Sequence, residues 1–217
     1  MSKEAEVVLR AGLDALHLSL SDAQVEQLLD YQALIGKWNK VYNLTAVRDP
    51  AEMLTHHLLD SLATVAPLQK HLQGRGLSAA SLLDVGAGAG LPGVVLSICC
   101  PTLAVTCVDT VGKKAAFIKQ AALALGLVNL TGLHARVETI TQPFDVICSR
   151  AFASLADFTG WSQAALAPGG VWMALKGKHP TEELTMLSSN VAMFHVEPLA
   201  VPGLAAERCI IWLQKAS

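Results

Sequence analysis

Residues 81–93 read SLLDVGAGAGLPG, and this stretch constrains the fold of the 217-residue chain more than any other. An apolar run, Leu82-Leu83-Asp84-Val85, leads into glycines at alternate positions, Gly86, Gly88 and Gly90. Pro92, Gly93 and an apolar segment follow. The pattern predicts a strand, a tight turn and a helix start. Glycine lacks a Cβ, so the backbone can take positive φ and approach a ligand closely. The helix N-terminus that follows offers unpaired N–H groups. A nucleotide-like ligand lying over the turn is the functional reading of such a corner.

Two fingerprints overlap here. Gly88-x-Gly90-x-x-Gly93 fits the dinucleotide pattern G-x-G-x-x-G, and Asp84-x-Gly86-x-Gly88-x-Gly90 fits the first motif of S-adenosylmethionine (AdoMet) methyltransferases. A glycine turn with no ligand fits the same letters. The next apolar run, 103–108 (LAVTCV), ends at Asp109, about twenty residues past the turn, where a carboxylate can accept from ribose hydroxyls. Both ligand classes want that acid, and a plain turn carboxylate would also sit there.

Composition narrows the class. Hydrophobic residues make up 52% and charged residues 16%, enough to build a large core in one domain with a small extension. A net charge of −2 provides no global basic footprint, so any nucleic-acid binding must come from a local patch. The five cysteines form no C-x-x-C pair and read as small core residues of a reducing compartment. The first ten residues, MSKEAEVVLR, lack the apolar core of a signal peptide. Two uncharged stretches, 85–108 and 158–175, are interrupted by Gly and Pro, so each splits into a helix and a buried strand, not a membrane span.

Taken in order, the first eighty residues predict helices. Ser21-Asp22-Ala23-Gln24 is a capping box, with Leu20 and Val25 placed as a hydrophobic staple. Val25, Leu28, Tyr31, Ile35, Trp38 and Tyr42 then fall near one face. Asp49-Pro50-Ala51-Glu52 starts another helix, whose apolar side is Met53, Leu54, Leu58, Leu62 and Val65. Between them, 37–49 crowds cations, amides and two aromatics: either a nucleic-acid contact, or a solvated helix end with Trp38 and Tyr42 in the core. Gly74-Arg75-Gly76 reads as the linker. After the glycine turn, the expected elements alternate: helix 91–100, strand 103–108, helix 112–125, strand 128–134, strand 144–149, helix 154–167, strand 171–176, helix 181–189, and strands 191–197 and 207–214. Alternation of this kind means a mostly parallel sheet covered on both faces. Only about nine residues join the last two strands, too few for a crossover helix, so they must pair antiparallel. That ending favours a methyltransferase over a dinucleotide dehydrogenase.

A wider set of motifs now carries a resemblance. Trp38-Asn39-Lys40, Asn43-Leu44-Thr45, Arg48-Asp49-Pro50, His57-x-x-Asp60-Ser61, the 84–93 turn, Ser149-Arg150-Ala151-Phe152-Ala153 and Ala174-Leu175-Lys176-Gly177 resemble the small-subunit ribosomal RNA methyltransferase G family, also called RsmG or GidB. The resemblance spans nearly the whole chain. One departure is Ala87 and Ala89 inside the turn, where many relatives carry bulkier or polar residues. It implies an α/β, Rossmann-like class I AdoMet-dependent methyltransferase: a seven-stranded, mostly parallel sheet ending in an antiparallel β-hairpin. A helical extension would occupy 1–76 and the AdoMet-binding domain 77–217. The implied activity is methyl transfer from AdoMet to N7 of one guanine in the decoding region (530 loop) of bacterial 16S rRNA.

By the same resemblance, cofactor contacts fall on Gly86, Leu91, Val137, Glu138 and Arg150; the strand–turn argument adds Gly88, Gly90 and Asp109. Asn43, Arg48 and Lys176 are the RNA-side candidates. His57 and Asp60 are expected to fasten the N-terminal helices onto the sheet. N7 of guanine has an in-plane lone pair and no proton, so no general base is required. Proximity and orientation, worth up to ~7–11 kcal/mol, would carry the catalysis. The partner is 16S rRNA within the small ribosomal subunit, in the cytoplasm, with no membrane and no metal; no feature of the chain demands a dimer. At −2 overall, the protein should bind naked RNA weakly and read the folded subunit instead.

Overall fold

A computed structural model describes residues 3–216. Helices come first: α1 (Lys3–Ala15), α2 (Asp22–Tyr42), then α3 (Pro50–Met53), which runs through a π-helical stretch (Leu54–Leu59) into α4 (Asp60–Leu62), and α5 (Val65–Gly74). The capping box at Ser21 forms as expected, with reciprocal bonds between Ser21 and Gln24. Such a cap is worth about 1 kcal/mol. Asp49 caps α3 by accepting from the Ala51 and Glu52 N–H groups at 2.9 and 3.0 Å. The π turn changes which residues face inward. Leu54, Leu58 and Leu62 reach the core as the helical spacing predicts, and His57, Asp60 and Ser61 are buried with them.

The sheet follows: β1 (Ala80–Val85), α6 (Gly93–Cys99), β2 (Leu103–Asp109), α7 (Gly112–Ala124), β3 (Leu130–His134), β4 (Phe144–Arg150), α8 (Leu155–Ser162), β5 (Leu166–Lys176), α9 (Thr181–Thr185), β6 (Val191–Leu199) and β7 (Arg208–Lys215). The strand order is β3-β2-β1-β4-β5-β7-β6. β1 to β5 are parallel, and β7 pairs antiparallel with both β5 and β6. The seven-stranded sheet closed by a hairpin is therefore as expected.

Several details differ from the sequence reading, among them the expected helix 181–189, which ends at Thr185. β5 starts at Leu166, five residues early: Pro168-Gly169-Gly170 lies inside the strand as an irregular start, and α8 ends at Ser162. Val128, expected in β3, is fully exposed ahead of it. Tyr42, placed on the core face of α2, is 40% exposed and leans against Trp38 with ring centroids 5.1 Å apart.

The two faces are unequally covered. α1, α2, the 50–62 helical run, α5, α6 and α7 share one large apolar cluster against one face. α8 and the turn at Val137–Thr139 cover the other with a smaller cluster. α2 is bonded into its face by side-chain amides. Gln24 donates to the Ile98 carbonyl and Gln27 to the Leu125 carbonyl, both at 2.8 Å, satisfying carbonyls at the ends of α6 and α7 that lack helical partners. All five cysteines are free and buried, and loss of hydration pushes their thiols up. Among the described residues no helix is long and apolar enough to cross a membrane.

Asp60 locks the helical layer to the sheet edge. Its Oδ2 accepts from Arg150 Nη1 at 3.0 Å, at the end of β4, and its Oδ1 from Arg208 Nε at 2.7 Å, at the start of β7. The carboxylate is 5% exposed. Removing one partner of such a buried pair strands the others, at about 3–5 kcal/mol. Asp60→Ala should therefore lower unfolding stability by at least about 3 kcal/mol in urea titration, a larger loss than for either arginine's partly exposed head.

Candidate active site

The corner at the end of β1 is built around one buried carboxyl. Asp84 is fully buried, and its Oδ2 accepts the Gly93 N–H at 2.8 Å, bridging the last turn of β1 to the first residue of α6. A Cβ at Gly93 would run into Asp84 and the Cys107 sulfur. Burial pushes the Asp84 carboxyl up to about 7, against the opposing pull of the Gly93 N–H. The glycine turn then folds beneath α2, where Tyr31 donates its hydroxyl hydrogen to the Ala89 carbonyl at 2.6 Å. Asp109, at the end of β2, ties the turn from the other side. It accepts from the Gly88 N–H at 3.0 Å and the Val111 N–H at 2.8 Å, with Lys114 Nζ 3.8 Å away.

Two clefts open over this corner, at the carboxyl ends of the parallel strands where ligands bind in open α/β sheets. The first, about 450 Å³, is lined by Thr45, His57, Asp60, Gly86, Gly88, Leu91, Arg150, Lys176 and Arg208 among others. The second, about 430 Å³, is lined by Gly86, Asp109, Lys114, Val137, Glu138, Phe152 and Trp161 among others. They meet at Gly86 and Ala151. Phe152 marks the junction. Its ring lies directly over Gly86, where a Cβ would collide with it, and meets Trp161 edge-on at 5.8 Å. Ala151 before it sits at φ +51°, a left-handed conformation that is unusual for alanine.

The eight cofactor candidates divide accordingly. Gly86 borders both clefts. Gly88, Leu91 and Arg150 line the first; Asp109, Val137 and Glu138 line the second. Gly90 lines neither, since its Cα faces Val94, Tyr31 and Ile118. Arg150 is bonded to Asp60 and to the His56 carbonyl, each at 3.0 Å. The RNA-side candidates are scattered. Lys176 reaches the first cleft, and its ammonium is held by both oxygens of Glu183 at 2.9 and 2.8 Å and by the Ala153 carbonyl. Asn43 caps α2 at φ +49° and accepts from Arg48 at 3.1 Å, both exposed. They stand outside the cleft, while the intervening Leu44 and Thr45 line it. Lys37, Lys40 and Arg48 edge a separate groove against α1 and α2.

Three residues escaped the sequence reading. Arg208 opens β7 with no motif around it, yet it shares Asp60 with Arg150. Glu183 was one acid among several after Lys176. Trp161 sits mid-helix in an apolar segment that reads as core, and is 43% exposed beside the second cleft. His57 was seen as structural: its Nε2 lies 2.8 Å from Thr45 Oγ1, bracing the 43–48 loop, and burial lowers its pKa.

Residues 24–211 match the model of one family, rRNA small subunit methyltransferase G. A curated relative, the ribosomal RNA small subunit methyltransferase G of Polaromonas naphthalenivorans, is 72% identical over 210 residues, covering 96% of this chain and 95% of that one. Among solved structures, magnesium protoporphyrin IX methyltransferase from Synechocystis, with bound SAM, superposes with a TM-score of 0.59 at 11% identity, covering 86% of this chain and 98% of that one. TrmN from Thermus thermophilus gives 0.55 at 22% identity, covering 75% and 53%. These structural likenesses place the sheet and its covering helices in the methyltransferase fold.

Asp84 makes the corner pH-sensitive. Its folded-state value near 7 lies above the ordinary 3.8, so between those values the folded chain holds a proton that the unfolded chain has released. Stability contributed by Asp84 is therefore present below about pH 4 and lost as pH rises through 7. Asp84→Asn removes that titration. The variant should gain stability relative to the parent by about 1 kcal/mol per pH unit from pH 5 to pH 6.5, read by urea unfolding at each pH.

Proposed function

The chain belongs to the rRNA small subunit methyltransferase G family, and from that membership we propose that it transfers a methyl group from AdoMet to N7 of one guanine in the 530 loop of 16S rRNA. The observation that carries this reading is the pair of clefts meeting over Gly86. An elongated nucleoside with a charged amino-acid arm needs two joined compartments of that kind.

The residues present fit AdoMet. Asp109 accepts one N–H on each oxygen and keeps lone pairs for ribose hydroxyls on the side of the second cleft. Val137, Glu138, Phe152 and Trp161 line the second cleft and offer it apolar and aromatic surface suited to an adenine. In the first cleft, Arg150 and Arg208 outnumber Asp60 by one positive charge, which suits the carboxylate of a methionine arm. When bound, AdoMet supplies a methyl already activated on a sulfonium. The protein then has to position the base and exclude water.

The side chains of the first cleft support the choice of acceptor atom. Asp60, the cleft's carboxylate, is bonded on both oxygens to guanidiniums, and His57 is bonded to Thr45. Both Asp60 oxygens are occupied, and burial disfavours a charged His57, so neither is well placed as a general base. An acceptor that carries no proton, such as guanine N7, suits this cleft better than an exocyclic amine or a hydroxyl. The 43–48 loop, with Asn43 and Arg48 on its outer side and Thr45 on its inner side, is placed to guide RNA to the opening. We assign the cytoplasm as the place of action because the substrate is a ribosomal subunit.

Transfer of labelled methyl into small subunits from a strain lacking this protein tests the reading. Label should appear as N7-methylguanosine at a single site, and intact subunits should be better acceptors than free rRNA. Label in another nucleoside, or none, overturns it. Asp109→Asn should weaken AdoMet binding by about tenfold, since a hydrogen bond to a charged group is worth ~1.5–3 kcal/mol, seen as loss of the AdoMet-induced melting shift. Arg48→Ala should cut transfer to subunits several-fold and leave that shift intact.

A further inference from the structure

A third cleft lies away from the corner, at the β6 edge of the sheet. It measures about 320 Å³ and is walled by α5 on one side and the β6–β7 hairpin on the other. Its floor is aromatic. His71 stacks on Trp212 with ring centroids 4.7 Å apart and planes 20° from parallel. Phe194 lies 6.3 Å from His71 and 6.5 Å from Trp212. Trp212 is buried at 2% exposure, so it supports the platform from beneath, while Phe194 is 43% exposed and forms its open surface.

The backbone is arranged to present that ring. Met193 pairs with Leu213 and His195 with the next residue, Trp212, so Phe194 is the extra residue of a β-bulge. A bulge on an edge strand re-aims a side chain and blunts pairing with another strand. A phenylalanine is an expensive residue to expose this way unless something covers it.

Charge at the rim selects the partner. Lys70 and Arg75 line the cleft from α5 and its end, are exposed, and make no ion pair among the described residues. His195 lines the cleft beside them. Glu197, the one acid lining the cleft, keeps its charge while accepting from Trp212 Nε1 at 3.3 Å, so two cations face one carboxylate and the rim is net positive. His71 is held toward neutrality by burial and by Arg75, which keeps it a flat, uncharged ring. An open aromatic face flanked by unpaired cations, on a chain that is acidic overall, is the footprint of single-stranded nucleic acid: bases stack and phosphates are neutralised.

Position links this cleft to the first one. Leu199, at the end of β6, lines the first cleft, and His195 lines the third. Four residues of strand span roughly 13 Å. We propose that the α5–β6 cleft is a second RNA-contact site, where one unpaired base of the substrate rRNA stacks on Phe194 while Lys70 and Arg75 take the adjacent phosphates. The proposal rests on the rRNA-methyltransferase reading and adds a docking element to it. Such a site would let a net-acidic enzyme hold its RNA beyond the rim of the reaction cleft.

The test uses the full chain with Phe194→Ala, Phe194→Trp and the double variant Lys70→Ala/Arg75→Ala. Methyl transfer is measured on unmethylated small subunits, and filter binding on a 16S rRNA fragment containing the acceptor loop. Base stacking on an aromatic is worth ~1–3 kcal/mol, so Phe194→Ala should raise KM for subunits about tenfold and weaken fragment binding alike. The kcat and the AdoMet-induced melting shift should stay at parental values. Phe194→Trp should restore both affinities. The double variant should reduce the slope of log affinity against log salt by about 1–2. Filter binding needs no methyl transfer, so a parent that binds the fragment and transfers nothing fails the reaction reading separately from this one. Unchanged KM and unchanged fragment affinity in Phe194→Ala would overturn the proposal. A raised KM on subunits with unchanged fragment affinity would overturn it too, by putting a ribosomal protein in the cleft.

Discussion

The bond between Asp84 and the Gly93 N–H holds the corner on which everything else is hung. β1 is an inner strand of the sheet, with β2 and β4 on either side, and at its end the chain must turn over and start a helix within a few residues. The first N–H groups of that helix have no backbone partner. Asp84 supplies an acceptor from inside the core, and burial makes the carboxyl reluctant to ionise. A neutral amide would fill the space with less electrostatic strain. The acid is tolerated because the surrounding layers, above all Tyr31 on the turn and Asp109 on Gly88, fix the turn from both sides.

From that corner outward, charge is arranged in paired sets. Asp60 joins Arg150 to Arg208, and Glu183 holds Lys176. The Asp60 set connects elements far apart in sequence and leaves one net positive charge at the first cleft, while Glu183, seven residues on, neutralises Lys176. The helical layer therefore helps to form the cleft's wall and orients its guanidiniums. A substrate phosphate or carboxylate arriving there meets side chains already fixed by their acids, which lowers the entropy lost on binding.

Much of this was legible in the sequence because local chemistry enforced it. Ser21-x-x-Gln24 and Asp49-Pro50 fix helix starts by hydrogen bonds that reach only three residues. The short connection between β6 and β7 excluded a parallel pair by chain length alone. What escaped depends on long-range partners. Pro168-Gly169-Gly170 reads as a break, yet Leu166 finds Phe144 across the sheet and the strand begins early. The π stretch at Leu54–Leu59 has the same letters as an α-helix, and no local signal distinguishes them; its long-range neighbours are α1 and α2. Arg208 could not be found because its partner, Asp60, lies 148 residues away. Lys176 was legible as a cation and illegible as a neutralised one, since nothing in its motif announces Glu183. Phe194 reads as an ordinary strand residue until the register of β6 shows the extra residue.

The five buried thiols make the molecule its own reporter of opening. Cys107 and Cys148 flank Asp84 on adjacent central strands, Cys99 and Cys100 close α6, and Cys209 lies on the strand that meets the helical layer. Because only the thiolate reacts and burial suppresses it, an aromatic disulfide reagent finds no target at the central-strand thiols of the closed protein. Its colour would develop only as fast as the chain breathes. Central-strand thiols would report whole-molecule excursions and Cys209 the loosening of one hairpin, so a residue type that does no chemistry in the native state resolves the hierarchy of motions beneath it.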